Sequence, residues 1–126
     1  GDLPYYLQSI VLLTRIYRLS NDLKLSKKTI DIALKNIKSV SSVELKENIF
    51  IEENIIKIAN NDKEGFEKLE ELSKSTTNVE HSAYIHYNLW KYNNDKVSQN
   101  NALNNYNKLY NKTPKYQFKL YINELK

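Results

Sequence analysis

Apolar residues return every three to four positions along almost the whole chain, which is the period of an α-helix. From Leu3 to Leu19 the residues Leu7, Ile10, Val11, Leu13, Thr14, Tyr17 and Arg18 recur at that spacing, with the apolar members on one broad face. Pro4 suits a first-turn position. The polar segment from Ser20 to Ser26 interrupts the pattern. A second stripe, Ile30, Ala33, Leu34, Ile37 and Val40, predicts a helix reaching Val40. Ser41 to Glu44 have the spacing of a capping box, in which the serine accepts from the backbone three residues on and the glutamate reaches back. This box opens a third helix, which ends near Asn60. That helix is apolar around much of its girth (Leu45, Ile49, Phe50, Ile51, Ile55, Ile56, Ile58), as a central, buried helix is.

Asn61 and Asp62 turn the chain, and Asp62 can cap a fourth helix whose stripe is Phe66, Leu69 and Leu72. After a loop from Ser75 to Asn78, a fifth helix is expected over Glu80–Tyr92 and a sixth over Val97–Asn111. Thr113 and Pro114 are expected to cap and open a seventh, carrying Phe118, Tyr121, Ile122 and Leu125. These four should lie on the sixth helix and shield its apolar edge. Short connections make successive helices antiparallel neighbours.

Between Leu89 and Pro114 the intervals become more specific. Leu89 and Trp90 are followed by Ala102, Tyr106, Leu109 and Pro114. This run resembles the tetratricopeptide repeat, a 34-residue helix–turn–helix unit with large and small residues at fixed offsets and a closing proline. Trp90 departs from the pattern, standing where the family carries glycine or alanine. Leu13 to Tyr17 resemble the same first-helix motif, followed by Ser26 or Ala33 in the small position of the second helix. Gly65, Leu69 and Leu72 fit the second helix of a middle pair. The resemblance implies an all-α fold: an αα-superhelix of about three helix–turn–helix hairpins and a C-terminal capping helix, seven helices in a single domain over residues 1–126. A non-repetitive helical bundle is the alternative.

Composition agrees with helices. Two glycines and two prolines are too few for the turns of a β-rich fold. The net charge of +4 is unevenly spread: residues 1–40 carry seven Lys/Arg against three acids, residues 41–76 five against nine, and residues 77–126 seven against three. An acidic middle between basic ends does not make the continuous basic face that nucleic acid requires, so nucleic-acid binding is not expected. The longest apolar run, Ile10 to Leu13, cannot span a membrane. With no cysteine, a disulfide framework and a thiolate metal site are excluded. The absence of methionine, even at position 1, leads us to expect a piece of a longer protein.

Candidate chemistry is sparse. His81 and His86 are five apart and do not form an i,i+4 metal pair. The adjacent acids Glu52/Glu53 and Glu70/Glu71 read as solvated faces. The chain carries neither a glycine-rich phosphate loop nor a nucleophile signature. We therefore expect no enzyme, no catalytic residue, no metal and no cofactor. The compositional surplus is ten tyrosines, of which Tyr17 and Tyr106 are assigned to packing between helices. Tyr84, Tyr87 and Lys91 share one stripe of the fifth helix, which Asn94 extends. The resemblance implies that this stripe lines a concave groove, so these four are the candidate partner-binding residues. The lysine–asparagine carboxylate clamp of some family members is not reproduced, since Tyr87 stands where they carry the first lysine. Arg15 and Arg18 are expected to be exposed on the first helix. The expected function is a non-catalytic module binding a protein or peptide. A sensory or regulatory ligand-binding domain coupled to an effector, or an RNA-binding helical repeat, are the alternatives.

Overall fold

The computed structural model describes residues 2–126. It is all-helical, with seven α-helices: α1 (Asp2–Leu19), α2 (Leu23–Lys35), α3 (Val43–Ala59), α4 (Lys63–Ser75), α5 (Val79–Asn93), α6 (Lys96–Lys112) and α7 (Tyr116–Leu125). A 3-10 turn, Ile37–Ser39, follows α2. The chain forms two compact units, one ending at Glu67 and the other beginning at Lys68.

The first hairpin shows why the chain turns where it does. Asn21 takes a left-handed backbone conformation (φ 68°), which asparagine tolerates better than most residues because its short side chain bonds locally. The next residue, Asp22, accepts from the backbone N–H of Leu25 at 3.1 Å and caps α2. The same dipeptide closes the other two hairpins. Asn61 (φ 63°) precedes Asp62, which accepts from Glu64 N at 2.9 Å. Asn94 (φ 55°) precedes Asp95, which accepts from Val97 N and Ser98 N at 3.1 and 3.3 Å. Each Asn ends the first helix of a pair and each Asp starts the second.

One turn into each second helix, a small residue faces back toward the first. Ser26 is buried and donates to the Thr14 carbonyl at 2.8 Å. At Gly65, α4 runs so close to α3 that an added Cβ would lie 2.6 Å from the Asn54 carbonyl oxygen and 2.6 Å from Lys57 Cβ. Ser98 is buried with its hydroxyl 3.2 Å from His86 Nδ1. The spacing from first-helix neighbour to small residue is therefore nearly constant, Thr14 to Ser26, Asn54 to Gly65 and His86 to Ser98.

In the first unit α1 packs on α2 and α3, and α2 on α3. Leu7, Ile10 and Val11 meet Ile30, Ala33, Val40, Leu45, Ile49 and Ile56 in one core. The α2 stripe divides in a way its periodicity did not predict. The helix stops at Lys35, and Ile37 and Val40 reach the core from the 3-10 turn and the extended residue after it. The cap of α3 is Ser42, accepting from Leu45 N at 3.1 Å, rather than Ser41; with Leu45 at the third position no reciprocal glutamate closes a box.

In the second unit α5 packs on α6 and α6 on α7. Ala83, Tyr87, Ala102, Tyr106, Phe118, Ile122 and Leu125 form its core, with Tyr121 packed against it. The sequence expectation of a covering last helix is met, and Gln99 Nε2 adds a bond to the Leu125 carbonyl at 2.8 Å. The helix begins at Tyr116 rather than at Pro114, because Thr113 serves as the C-cap of α6 with extended backbone.

Gly65 is the most demanding of these approaches. Alanine there adds roughly 1 kcal/mol of helix propensity. A backbone oxygen cannot swing aside, so the clash outweighs that gain and Gly65→Ala should lose on the order of 1–3 kcal/mol. Thermal unfolding followed by circular dichroism measures this; an unchanged or raised midpoint would mean that α4 does not approach α3 so closely.

Candidate functional site

Tyr84, Tyr87 and Lys91 lie three and four residues apart on α5, so one face of the helix carries all three. α7 supplies what meets that face. The Tyr121 ring stands edge-on to Tyr87 with centroids 4.7 Å apart, and at 6.2 Å from Tyr84. Tyr84 and Tyr87 are parallel at 6.5 Å, and Tyr106 stacks on Tyr121 at 4.7 Å. Edge-to-face and offset contacts of this kind add to the burial of aromatic area.

Polar groups finish the cluster at its edge. The Tyr87 phenol donates to the Glu124 carboxylate. Lys91 Nζ donates to the Tyr87 oxygen at 3.0 Å, lies 3.5 Å from Glu124 Oε1, and sits 5.4 Å from the Tyr87 ring centroid. Burial, joined by the bond to Glu124, pushes the Tyr87 phenol far above its ordinary pKa and keeps it a donor. Tyr87 is thus buried in the fold, whereas Lys91 and Glu124 remain substantially exposed. Asn94 lies in the left-handed conformation at the end of α5, its N–H bonded to the Trp90 carbonyl at 2.7 Å. The structure therefore joins three of the four sequence candidates in one cluster and places Asn94, exposed, at the helix end. Glu124, which completes the cluster, lay outside the sequence reading: it is 33 residues from Lys91 and no local pattern links them.

A second polar cluster sits at the α5–α6 hairpin. Ser98 Oγ lies 3.2 Å from Asp95 Oδ2 and 3.2 Å from His86 Nδ1. Ser98 is also buried. Serine, histidine and aspartate here form a capping network. Burial holds His86 below its ordinary pKa, partly offset by Asp95 and Glu70.

The first unit overturns two expectations. Arg18 is buried, and Glu52 is fully buried rather than solvated. Arg15 Nε donates to Glu52 Oε1 at 2.8 Å and Arg18 Nη2 to Glu52 Oε2 at 3.4 Å. The reason is the girth of α3. With Leu45, Ile49, Ile51, Ile55, Ile56 and Ile58 all buried, Glu52 has no wet face, and a buried carboxylate must be met by positive charge. Beside it the Asn54 amide donates to the Phe50 carbonyl at 2.8 Å.

Among the described residues no three His, Asp or Glu side chains gather where they could hold a metal ion, and no helix is long and apolar enough to cross a membrane. No family model matches the chain, and no curated protein or solved structure matches it either.

Two outcomes follow from these networks. Glu52→Gln removes the charge that faces Arg18 and should destabilise the protein by about 3 kcal/mol, read as a lower denaturant midpoint; an unchanged midpoint would show the pair to be dispensable. For His86, the unfolded chain takes up a proton near pH 6.5 while the folded chain takes it up at a lower pH. The unfolded state then binds more protons in that window, so His86 contributes stability that is present above pH 6.5 and declines as pH falls below it. His86→Gln should flatten the pH dependence of the unfolding midpoint in this range, and a slope identical to wild type would rule out His86 as its source.

Proposed function

We propose that the chain is a non-catalytic protein- or peptide-binding module made of tetratricopeptide-like helical hairpins. The repeated Asn–Asp turn and the small residue one turn beyond it support a repeated hairpin unit. The observation that carries the binding role is the exposed edge of the tyrosine cluster. There a phenol and an ammonium already receive a carboxylate, that of Glu124, beside the half-buried ring of Tyr84. A peptide carboxylate can be received by Lys91 in the same manner, while an apolar side chain rests against Tyr84. From Tyr84 to Asn94 this edge runs roughly 15 Å along α5, the reach of four or five extended residues. The partner this favours is a short segment with acidic and apolar side chains, and tyrosine is a residue favoured at such contacts.

The test is selection of displayed peptides on the purified chain, followed by binding measurements with variants. Enriched peptides should carry an acid beside an apolar residue. Lys91→Glu should weaken them roughly tenfold by placing like charge against the ligand, with the helical content retained, as circular dichroism checks. Glu124→Gln, which removes the competing internal carboxylate, should tighten them. If no peptide is enriched over a scrambled control, or Lys91→Glu binds as wild type does, the reading fails.

A further inference from the structure

α1 is apolar on two faces. Its inner face, Leu7, Ile10, Val11 and Thr14, is buried in the first unit. Its outer face carries Tyr5, Leu12, Ile16 and Leu19, which are 77%, 56%, 58% and 64% exposed. Tyr6 and Leu13, also exposed, flank that stripe.

The spacing of the stripe is that of a coiled-coil seam. Tyr5, Leu12 and Leu19 fall at successive d positions of a heptad, Ser9 and Ile16 at a, and Tyr6 and Leu13 at e. A β-branched residue at a with leucine at d is the arrangement that favours two strands. Charge is kept out of the seam between Tyr5 and Leu19. The basic residues of α1, Arg15 and Arg18, are both drawn to Glu52.

We propose that this face pairs with a second copy of the chain through a two-fold axis. Three observations select that occupant. An uncharged apolar stripe offers a charged peptide nothing to pair with, whereas it is complementary to itself, as an isologous interface must be. Its size fits: at on the order of 100 Å² of exposed surface per side chain, the six residues present roughly 600 Å², at the upper end for the surface of a monomer. With Ser9 inside the seam and Gln8 and Ser20 as a polar rim, this approaches the roughly 800 Å² per partner of a standard interface. The stripe is also centred on Leu12, so a two-fold axis brings Leu12 against its own copy whether the helices run parallel or antiparallel. The inference is independent of the peptide-binding edge on α5.

Sedimentation over a concentration series reads the pairing directly. The wild-type mass should rise from the 14.9 kDa of one chain to about twice that in the micromolar range. The double variant Leu12→Glu/Ile16→Glu, whose substituted side chains are exposed, should stay at the mass of one chain with unchanged helicity, and its thermal midpoint should lose the concentration dependence that pairing gives the wild type. Because the chain has no cysteine, Leu12→Cys provides a second reading. It should form a disulfide-linked dimer under mild oxidation much faster than Lys28→Cys, an exposed control on α2. A wild-type chain that remains single at the highest concentration, a double variant that still pairs, or equal crosslinking at the two cysteines would each overturn the proposal.

Discussion

The structure depends on one turn used three times. A chain of helices must reverse direction in two or three residues, which requires a left-handed backbone position at the end of one helix and a side-chain acceptor at the start of the next. Asn21–Asp22, Asn61–Asp62 and Asn94–Asp95 supply both. Glycine is the usual choice for the left-handed position. Asparagine performs the same task here, because it tolerates the left-handed region better than most residues. The abundance of asparagine, which looks like compositional noise, thus includes three positions with a defined conformational role.

The buried carboxylate of Glu52 and the apolar stripe of α1 require the same rotation of that helix. Arg15 and Arg18 are three residues apart and must both face α3 to reach it. That rotation carries Leu7, Ile10, Val11 and Thr14 inward and leaves Tyr5, Leu12, Ile16 and Leu19 outward. An ion pair removed from water is a poor source of net stability, since desolvation offsets much of the attraction. Its value here is orientation: an α1 turned the other way would leave Glu52 unmatched.

The second unit is organised by aromatic rings rather than by charge. Tyr84, Tyr87, Tyr106 and Tyr121 meet across α5, α6 and α7, with Phe118 completing the contact. A tyrosine can be buried only if its hydroxyl finds a partner. Glu124 and Lys91 provide that partner for Tyr87 at the rim, where both charges still touch water. The residue that holds the cluster together and the residues that a ligand could reach are therefore neighbours in one network.

Local pattern was enough to read the seven helices, the short connections and the covering role of the last helix, because helical periodicity and cap chemistry act over a few residues. It was also enough to bring Tyr84, Tyr87 and Lys91 onto one stripe. It could not tell that Tyr87 is covered by α7, that Glu52 is buried, or that Arg18 turns inward. Each of those depends on a partner 33 to 37 residues away, and no periodicity within one helix carries that information. The position where α2 ends was likewise not legible: Ile37 and Val40 reach the core from a 3-10 turn and the extended residue after it, although their spacing fits an α-helix. For α1 the spacing of Leu7, Ile10, Val11 and Thr14 already marked the inner face; what only the tertiary structure decided is that Arg18, on the same stripe, turns inward to a carboxylate buried 34 residues away on α3.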